Sequence, residues 1–307
     1  MKKTAIVTGG TKNQFPAMAV LALNIADKCP NIADELVIFH DGVPIEEQHK
    51  VQKIFPTRFI EYTSPFNNTE SCFSDNVTKY FSLMVFCKYE CFRLLEEYAT
   101  VIWTDYDVLI EKDISELIQM KNACSKFITD EYLVRKFDMS LFYKHTDLLK
   151  TVDVLGTGIC TGLFVLFDTF PKYKQFYEDC IAITEELGDS LSLPEEAVIS
   201  ILLKKYNIVY DDIDTKIYVR QPKDLLQDKT EYKILHAAGQ PKFWNGLYNE
   251  KWNKYYSEWV NNYKGMEFVQ NEQKKNINFI TYNGWNSFIR SRNLCILYDC
   301  NKRKYKN

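Results

Sequence analysis

The sequence predicts an α/β fold built on an open, mostly parallel central sheet flanked by helices. Three observations predict it. Short apolar runs alternate with helical patterns through the first 110 residues. One run, Leu36-Val37-Ile38-Phe39, is apolar without a break, as in a strand covered on both faces. Glycine and aspartate turns close several of the runs, the punctuation expected between strands and crossover helices. In chain order, Thr4–Thr8 is a strand closed by Gly9-Gly10, and a helical pattern runs from Pro16 to about Ala26. Glu35–His40 is the second strand, followed by Asp41-Gly42 and a helix with Pro44 near its first turn. Arg58–Tyr62 is the third strand. A long helix is predicted from about Val77 to Tyr98, then a fourth strand, Val101–Trp103, ending in Thr104-Asp105-Tyr106-Asp107. Beyond it come a segment, Gly158 to Phe167, that combines glycines with a strand over Leu163–Phe167, helices over Pro171–Leu187 and Pro194–Lys205, and a short strand, Ile234-Leu235, before His236. Trp252, Tyr255, Tyr256, Trp259 and Tyr263 form an aromatic stripe at helical spacing, which belongs in a core.

Composition narrows the function. With 46% apolar and 26% charged residues in a chain of 307, disordered and fibrous classes are excluded. The net charge of −3 supplies no basic field for nucleic acid. The charge is uneven, however: residues 264–307 carry nine Lys/Arg against three Asp/Glu, or +6, which leaves −9 for residues 1–263. We therefore expect a main domain over 1–263 and a basic, aromatic C-terminal extension over 264–307 packed on it. The extension holds Phe279, Tyr282, Trp285, Phe288 and Tyr298. That chemistry suits peripheral contact with an anionic membrane; the plainer reading is a solvated piece that completes the fold. Nine cysteines without a Cys-x-x-Cys pair suggest neither zinc nor a disulfide framework. The apolar run after Lys2-Lys3 dies at Thr8-Gly9-Gly10, short of a signal sequence, and no stretch approaches the ~20 apolar residues of a membrane span. A cytoplasmic setting, at most peripheral to the inner face of the membrane, is the expectation.

Asp105-Tyr106-Asp107 is the sharpest local feature. Ligands in open α/β sheets bind outside the carboxyl ends of strands, and this run ends one. Two carboxylates one residue apart can hold one hard cation from a turn and leave positions for phosphate oxygens and water. Alone the pattern is weak, because a solvated turn capping the next element has the same residues.

Its context is more specific. Val101-Ile102-Trp103-Thr104-Asp105-Tyr106-Asp107-Val108-Leu109-Ile110 resembles the strand–DxD–strand signature of nucleotide-sugar glycosyltransferases. His236-Ala237-Ala238-Gly239-Gln240-Pro241-Lys242-Phe243-Trp244 resembles the His-x-x-Gly-x-x-Lys-Pro-Trp element of glycosyltransferase family 8, with Phe243 in place of the proline. The chain has four histidines, so one in this setting is informative. The resemblance spans most of the chain in order. It implies a GT-A type fold and a metal held by Asp105, Asp107 and His236, with Mn²⁺ preferred and Mg²⁺ second. It implies donor contacts from Val7, Thr8, Gly9, Phe15, Lys88, Thr104, Asp105, Tyr106, Gly239 and Lys242, Phe15 falling where an aromatic stacks on uracil. Gly158-Ile159-Cys160-Thr161-Gly162 resembles a Phe-Asn-Ser/Thr-Gly strand, Cys160 replacing the asparagine. Glu195 and Glu196 fall where an Asp-Gln-Asp-Ala run is common and are the catalytic candidates, although either also suits a helix start after Pro194.

The implied activity is retaining transfer of a hexose from a nucleoside diphosphate donor, with UDP-glucose or UDP-galactose first, to a glycan or lipid-linked acceptor. Surface polysaccharide assembly is the implied setting. Asp107→Asn is expected to abolish turnover and leave folding nearly intact, on the view that a strand-end carboxylate is solvated. Two rivals remain. Val7-Thr8-Gly9-Gly10 with Tyr132 and Lys136, a Tyr-x-x-x-Lys pair, resembles a short-chain dehydrogenase, yet Tyr298 and Lys302 repeat the pattern and the further phosphate-loop glycines are missing. A binding protein that kept the fold and lost turnover is the other.

Overall fold

The computed structural model describes residues 3–66, 73, 76–130, 132–226 and 230–269; the aromatic residues of the extension named above lie outside them. Four strands make the N-terminal half of the sheet: β1 (Lys3–Gly10), β2 (Glu35–His40), β3 (Thr57–Glu61) and β4 (Tyr98–Thr104). They are parallel, in the spatial order β3-β2-β1-β4. Helix α1 (Phe15–Lys28) links β1 to β2, and α2 (Ile45–Gln52) links β2 to β3. The path then turns back across the sheet, through a segment ending in α3 (Glu90–Leu94), so that β4 lies on the far side of β1. The carboxyl ends of β1 and β4 therefore flank the point where strand order reverses, the crevice where such sheets bind ligands.

Alternate strand residues feed two cores. Ala5, Val7, Val37, Phe39, Val101 and Trp103 pack on one face, and Ile6, Leu36, Ile38 and Ile102 on the other, beneath α1. This two-sided burial explains the unbroken apolar run in β2.

The region between β3 and β4 departs from the predicted helix. A π-helical turn, Asn76–Phe81, is followed by a 3-10 segment, Leu83–Tyr89, and only Glu90–Leu94 is α-helical. Ser82, at φ 58, breaks the helix, and its hydroxyl accepts the Met84 N–H at 3.3 Å. The last residue assigned to that helix, Tyr98, opens β4 instead.

The second half adds strands of opposite sense. β6 (Ser125–Asp130) is joined through one-turn helices α4 (Leu141–Lys144) and α5 (Leu148–Thr151) to β7 (Gly158–Phe167). β7 runs antiparallel to both β4 and β6, and β8 (Asp211–Asp212) pairs in parallel with β6. The sheet is thus mainly parallel, with its antiparallel pairings confined to β7. Helices α6 (Tyr173–Leu187) and α7 (Pro194–Lys205) cover one face of it. α7 starts at Pro194, where a missing N–H costs nothing.

A two-stranded ribbon lies beside the sheet. β5 (Val108–Ile110) leaves the turn after β4 and pairs antiparallel with β9 (Ile234–His236), reached after the one-turn helix α8 (Thr215–Tyr218). Asn24, wholly buried in α1, holds the ribbon: its Nδ2 donates to Ile110 O (2.8 Å) and its Oδ1 accepts Ile110 N–H (2.6 Å). The aromatic stripe forms α9 (Glu250–Asn261), with Trp252, Tyr255 and Trp259 in the core. Residues 264–269 continue against it. Gly265 sits on Trp259, whose indole N–H donates to Met266 O (2.9 Å), while Met266 N–H donates to Glu47 Oε2 (2.8 Å).

Asn24→Ala strands both polar groups of Ile110 in a dry core, an expected loss of about 2 kcal/mol or more. A thermal melt followed by circular dichroism should show a Tm several degrees lower; an unchanged Tm would show that other contacts hold the ribbon.

Candidate active site

The turn after β4 is held from two sides. Asp105 N–H donates to Gly162 O on β7 (2.9 Å), and Asp107 O accepts Ala237 N–H just beyond β9 (2.9 Å). Pairing of β5 with β9 sets Val108 opposite His236, so the imidazole arrives beside Asp107. Asp105, Asp107 and His236 consequently offer ligand atoms within 4.8 Å of one another. His236 Nε2 is 3.1 Å from Asp107 Oδ1 and 3.7 Å from Asp105 Oδ2. Such separations suit ligand atoms each ~2.0–2.3 Å from one divalent ion.

The remaining carboxylate oxygens are occupied by cations and donors. Asp105 Oδ1 accepts from Trp103 Nε1 (3.0 Å) and lies 3.2 Å from Lys88 Nζ. Asp107 Oδ2 is paired with Lys242 Nζ, which also donates to Ala237 O (2.9 Å). Burial raises the Asp107 carboxyl, but Lys242 and His236 beside it more than reverse this and hold it well below the usual carboxylate range. Burial likewise disfavours the charged form of Lys88. Asp105, Glu195 and Glu196 overcome that and push its pKa well above the ordinary lysine value.

The structure places the sequence-predicted residues differently with respect to the cavity. Gly9, Lys88, Asp105, Tyr106, Asp107, Glu195 and Lys242 line one cavity at the carboxyl ends of β1 and β4. His236, buried beside Asp107, completes the ligand cluster. Val7, Thr8, Thr104 and Phe15 are buried and do not line the cavity. Phe15 corrects the expectation of a base-stacking aromatic: at the start of α1 its ring packs against Phe59 (6.1 Å) and Trp259 (5.9 Å). Gly239 adopts φ +77 in the turn after β9, next to the cavity-lining Gln240. Glu196 stands behind the wall, paired with Lys136.

Asp107 is a second correction. It is 5% exposed rather than solvated, so its charge contributes to folding as well as to the cluster. Phe243 in the proline position is explained by packing: its ring stacks on Trp252 at 5.7 Å.

The cavity also uses Gly10, Gln14, Met84, Val85, Trp103, Trp244 and Asn245. For Gln14 and Met84 the sequence held no local signal. Trp103 had one, an indole N–H within reach of a carboxylate two residues on. The dehydrogenase pairing dissolves: Lys136 is wholly buried between Asp130 and Glu196, whereas Tyr132 is 39% exposed beneath Arg135.

A mainly parallel α/β sheet with a two-aspartate, one-histidine cluster at its switch point is the GT-A type fold that the sequence resemblance implies. The glycosyl transferase family 8 model matches residues 5–287, and the chain belongs to that family. No curated protein matches it in sequence. Solved structures resemble it in fold. The bifunctional glycosyltransferase WbbM aligns with a TM-score of 0.62 at 12% identity over 86% of this chain and 51% of its own. This chain thus spans about half the length of that relative. The galactosyltransferase LgtC, in complex with donor and acceptor sugar analogs, gives 0.57 at 12% identity over 83% and 95%. The glycosyltransferase GlyE of Streptococcus pneumoniae TIGR4 gives 0.54 at 14% over 94% and 64%.

Gly162 is where the cluster leaves no room for a side chain. A Cβ there would lie 2.6 Å from His236 Cε1 and 3.5 Å from Asp105 Oδ2. Gly162→Ala should therefore displace the imidazole and weaken divalent-ion binding by about 10–100-fold, as read by calorimetric titration with Mn²⁺. Unchanged affinity would show that His236 is not a ligand.

Proposed function

We propose that this enzyme transfers a hexose with retention of configuration from a uridine diphosphate donor, glucose or galactose, to a glycan or lipid-linked acceptor. The observation that carries the reading is the convergence of Asp105, Asp107 and His236 on one cavity with Lys88 and Lys242. Two carboxylates and an imidazole fit a divalent ion, and the imidazole favours Mn²⁺ over Mg²⁺. Bound there, the ion neutralises charge developing on the leaving diphosphate.

The chain's own groups account for the rest. Lys242 reaches the cluster from the turn after β9 and supplies a second positive charge beside the diphosphate. Lys88, fixed between Asp105 and Glu195, orients the carboxylates on the opposite wall. Glu195, 4% exposed and on the cavity wall, is the carboxylate we assign to positive charge developing on the sugar ring. Attack from the front face breaks the anomeric C–O bond to phosphate and forms one to the acceptor oxygen. The leaving phosphate takes the acceptor's proton. Retention, donor and acceptor follow the family resemblance; likeness to LgtC in fold supports a hexose. Assembly of a surface polysaccharide on the cytoplasmic face, with residues 264–307 against the membrane, is the setting we propose. Among the described residues, no helix is long and apolar enough to cross a membrane.

Uridine diphosphate release from a panel of donor sugars with Mn²⁺ tests the reading. UDP-glucose or UDP-galactose should lead, and EDTA should abolish release; equal turnover in EDTA would contradict the metal role. Lys242→Met should lower kcat by about 100-fold or more, the scale of losing one preorganised charge contact. Turnover within a factor of a few would remove Lys242 from the mechanism.

A further inference from the structure

Behind the catalytic wall lies a charged residue that the mechanism leaves unused. Lys136 ends a 3-10 turn, Leu133–Lys136, and is wholly buried, yet it lines no part of the cavity. Its Nζ is 2.8 Å from Asp130 Oδ2 and 2.5 Å from Glu196 Oε2. Burial works against its charge, and the carboxylates of Glu196 and Asp130 restore it. Replacing a buried ion pair by apolar residues of similar volume is often neutral or stabilising, so stability alone does not account for the enclosed ammonium.

The contacts that run on from Lys136 supply one. Glu196 Oε1 accepts the Thr161 N–H (3.1 Å). The Thr161 hydroxyl donates to Glu195 Oε1 (2.9 Å), which Lys88 Nζ also approaches at 2.8 Å. One oxygen of Glu195 is therefore held twice. The other, Oε2, is buried and has no hydrogen-bond partner. A carboxylate oxygen left in that state is costly and stays so only where its surroundings fix it. Lys136 also grips the entry to α7 through its backbone, its carbonyl accepting Ser192 N–H (2.9 Å) and Leu193 N–H (3.1 Å). Side chain and main chain of one residue thus hold Glu196 in the first turn of α7 and the two residues that lead into it, on either side of Glu195. Gly158 makes the arrangement fit, since a Cβ there would fall 2.9 Å from Lys136 Cε.

We propose that Lys136 is a positioning residue that clamps the first turn of α7 and so fixes Glu195 in the cavity wall beside Lys88. The proposal rests on the role given to Glu195 above. Two variants test it. Lys136→Met removes the cation; Gly158→Ala keeps every charge and crowds Lys136 Cε (2.9 Å) before Leu133 Cα (3.2 Å) and Ser200 Oγ (3.3 Å). In both, kcat should fall about 10–100-fold, the scale of an ångström of misplacement, while the donor KM holds, because Lys242 and the aspartates are untouched. Hydrogen–deuterium exchange should rise in the peptide containing Thr161 and match the parent enzyme in β1 and β2. If Lys136→Met does not fold, Gly158→Ala decides. Unchanged kcat and unchanged Thr161 exchange in Gly158→Ala would overturn the proposal, and so would exchange that rises uniformly across the sheet. If the parent enzyme releases no uridine diphosphate from either hexose donor, the donor assignment fails, while the exchange measurement still decides whether Lys136 is the clamp.

Discussion

Mutual repulsion among three carboxylates is the constraint on which the site depends. Asp105, Asp107 and Glu195 line one cavity, and like charges ~4 Å apart at an effective dielectric of about 20 repel by about 4 kcal/mol. Lys88 answers this by bridging Asp105 and Glu195, and Lys242 by pairing with Asp107. Two ammonium groups against three carboxylates leave the wall with one uncompensated negative charge, facing His236. That residual charge is consistent with the cation proposed for the cluster. Without Lys88 and Lys242 the same residues would resist being brought together at all.

Bringing them together is a matter of topology rather than of local structure. Asp105 and Asp107 sit in the turn after β4, His236 ends β9, Lys88 belongs to a 3-10 turn, and Glu195 lies in the first turn of α7. Each element has its own anchor: β7 holds the Asp105 amide, the β5–β9 pairing delivers the imidazole, and Asn24 ties that ribbon to α1. The antiparallel β7 matters most. By running against β4 it presents Gly162 to Asp105 and Thr161 to Lys88 and Glu195, two tasks on neighbouring residues of one strand.

How far these features were legible depends on whether their cause is local. Strand β2 was readable from end to end because burial on both faces leaves an unbroken apolar run. The start of α7 was readable because Pro194 marks it, and the aspartate pair because it ends an apolar strand. Phe15 was misplaced because its surroundings, Phe59 and Trp259, come from distant parts of the chain. The helix predicted over 77–98 has the right apolar spacing, but the Ser82 conformation breaks it. Asp107 looked like a solvated turn residue because Lys242, which covers it, is remote in sequence. Lys136 gave a misleading signal, half of a Tyr-x-x-x-Lys pattern, because nothing in the sequence announces a lysine enclosed by Asp130 and Glu196.

The aromatic stripe of α9 shows the same dependence at the mouth of the cavity. Trp252 faces the core, and its ring stacks on Tyr256 at 5.5 Å and lies 6.1 Å from Trp244. Trp244 stands 6.0 Å from Tyr106, the residue between the two aspartates, so the stripe supports the cavity wall through one ring. Phe268, beyond the main domain as drawn from charge, stacks on the same Trp244 at 5.1 Å and lies 5.5 Å from Tyr256. The change of charge at residue 264 is therefore not a change of packing. Residues 264–269 form part of the layer that backs Trp244, so the segment where the basic extension begins supports the cavity wall from behind.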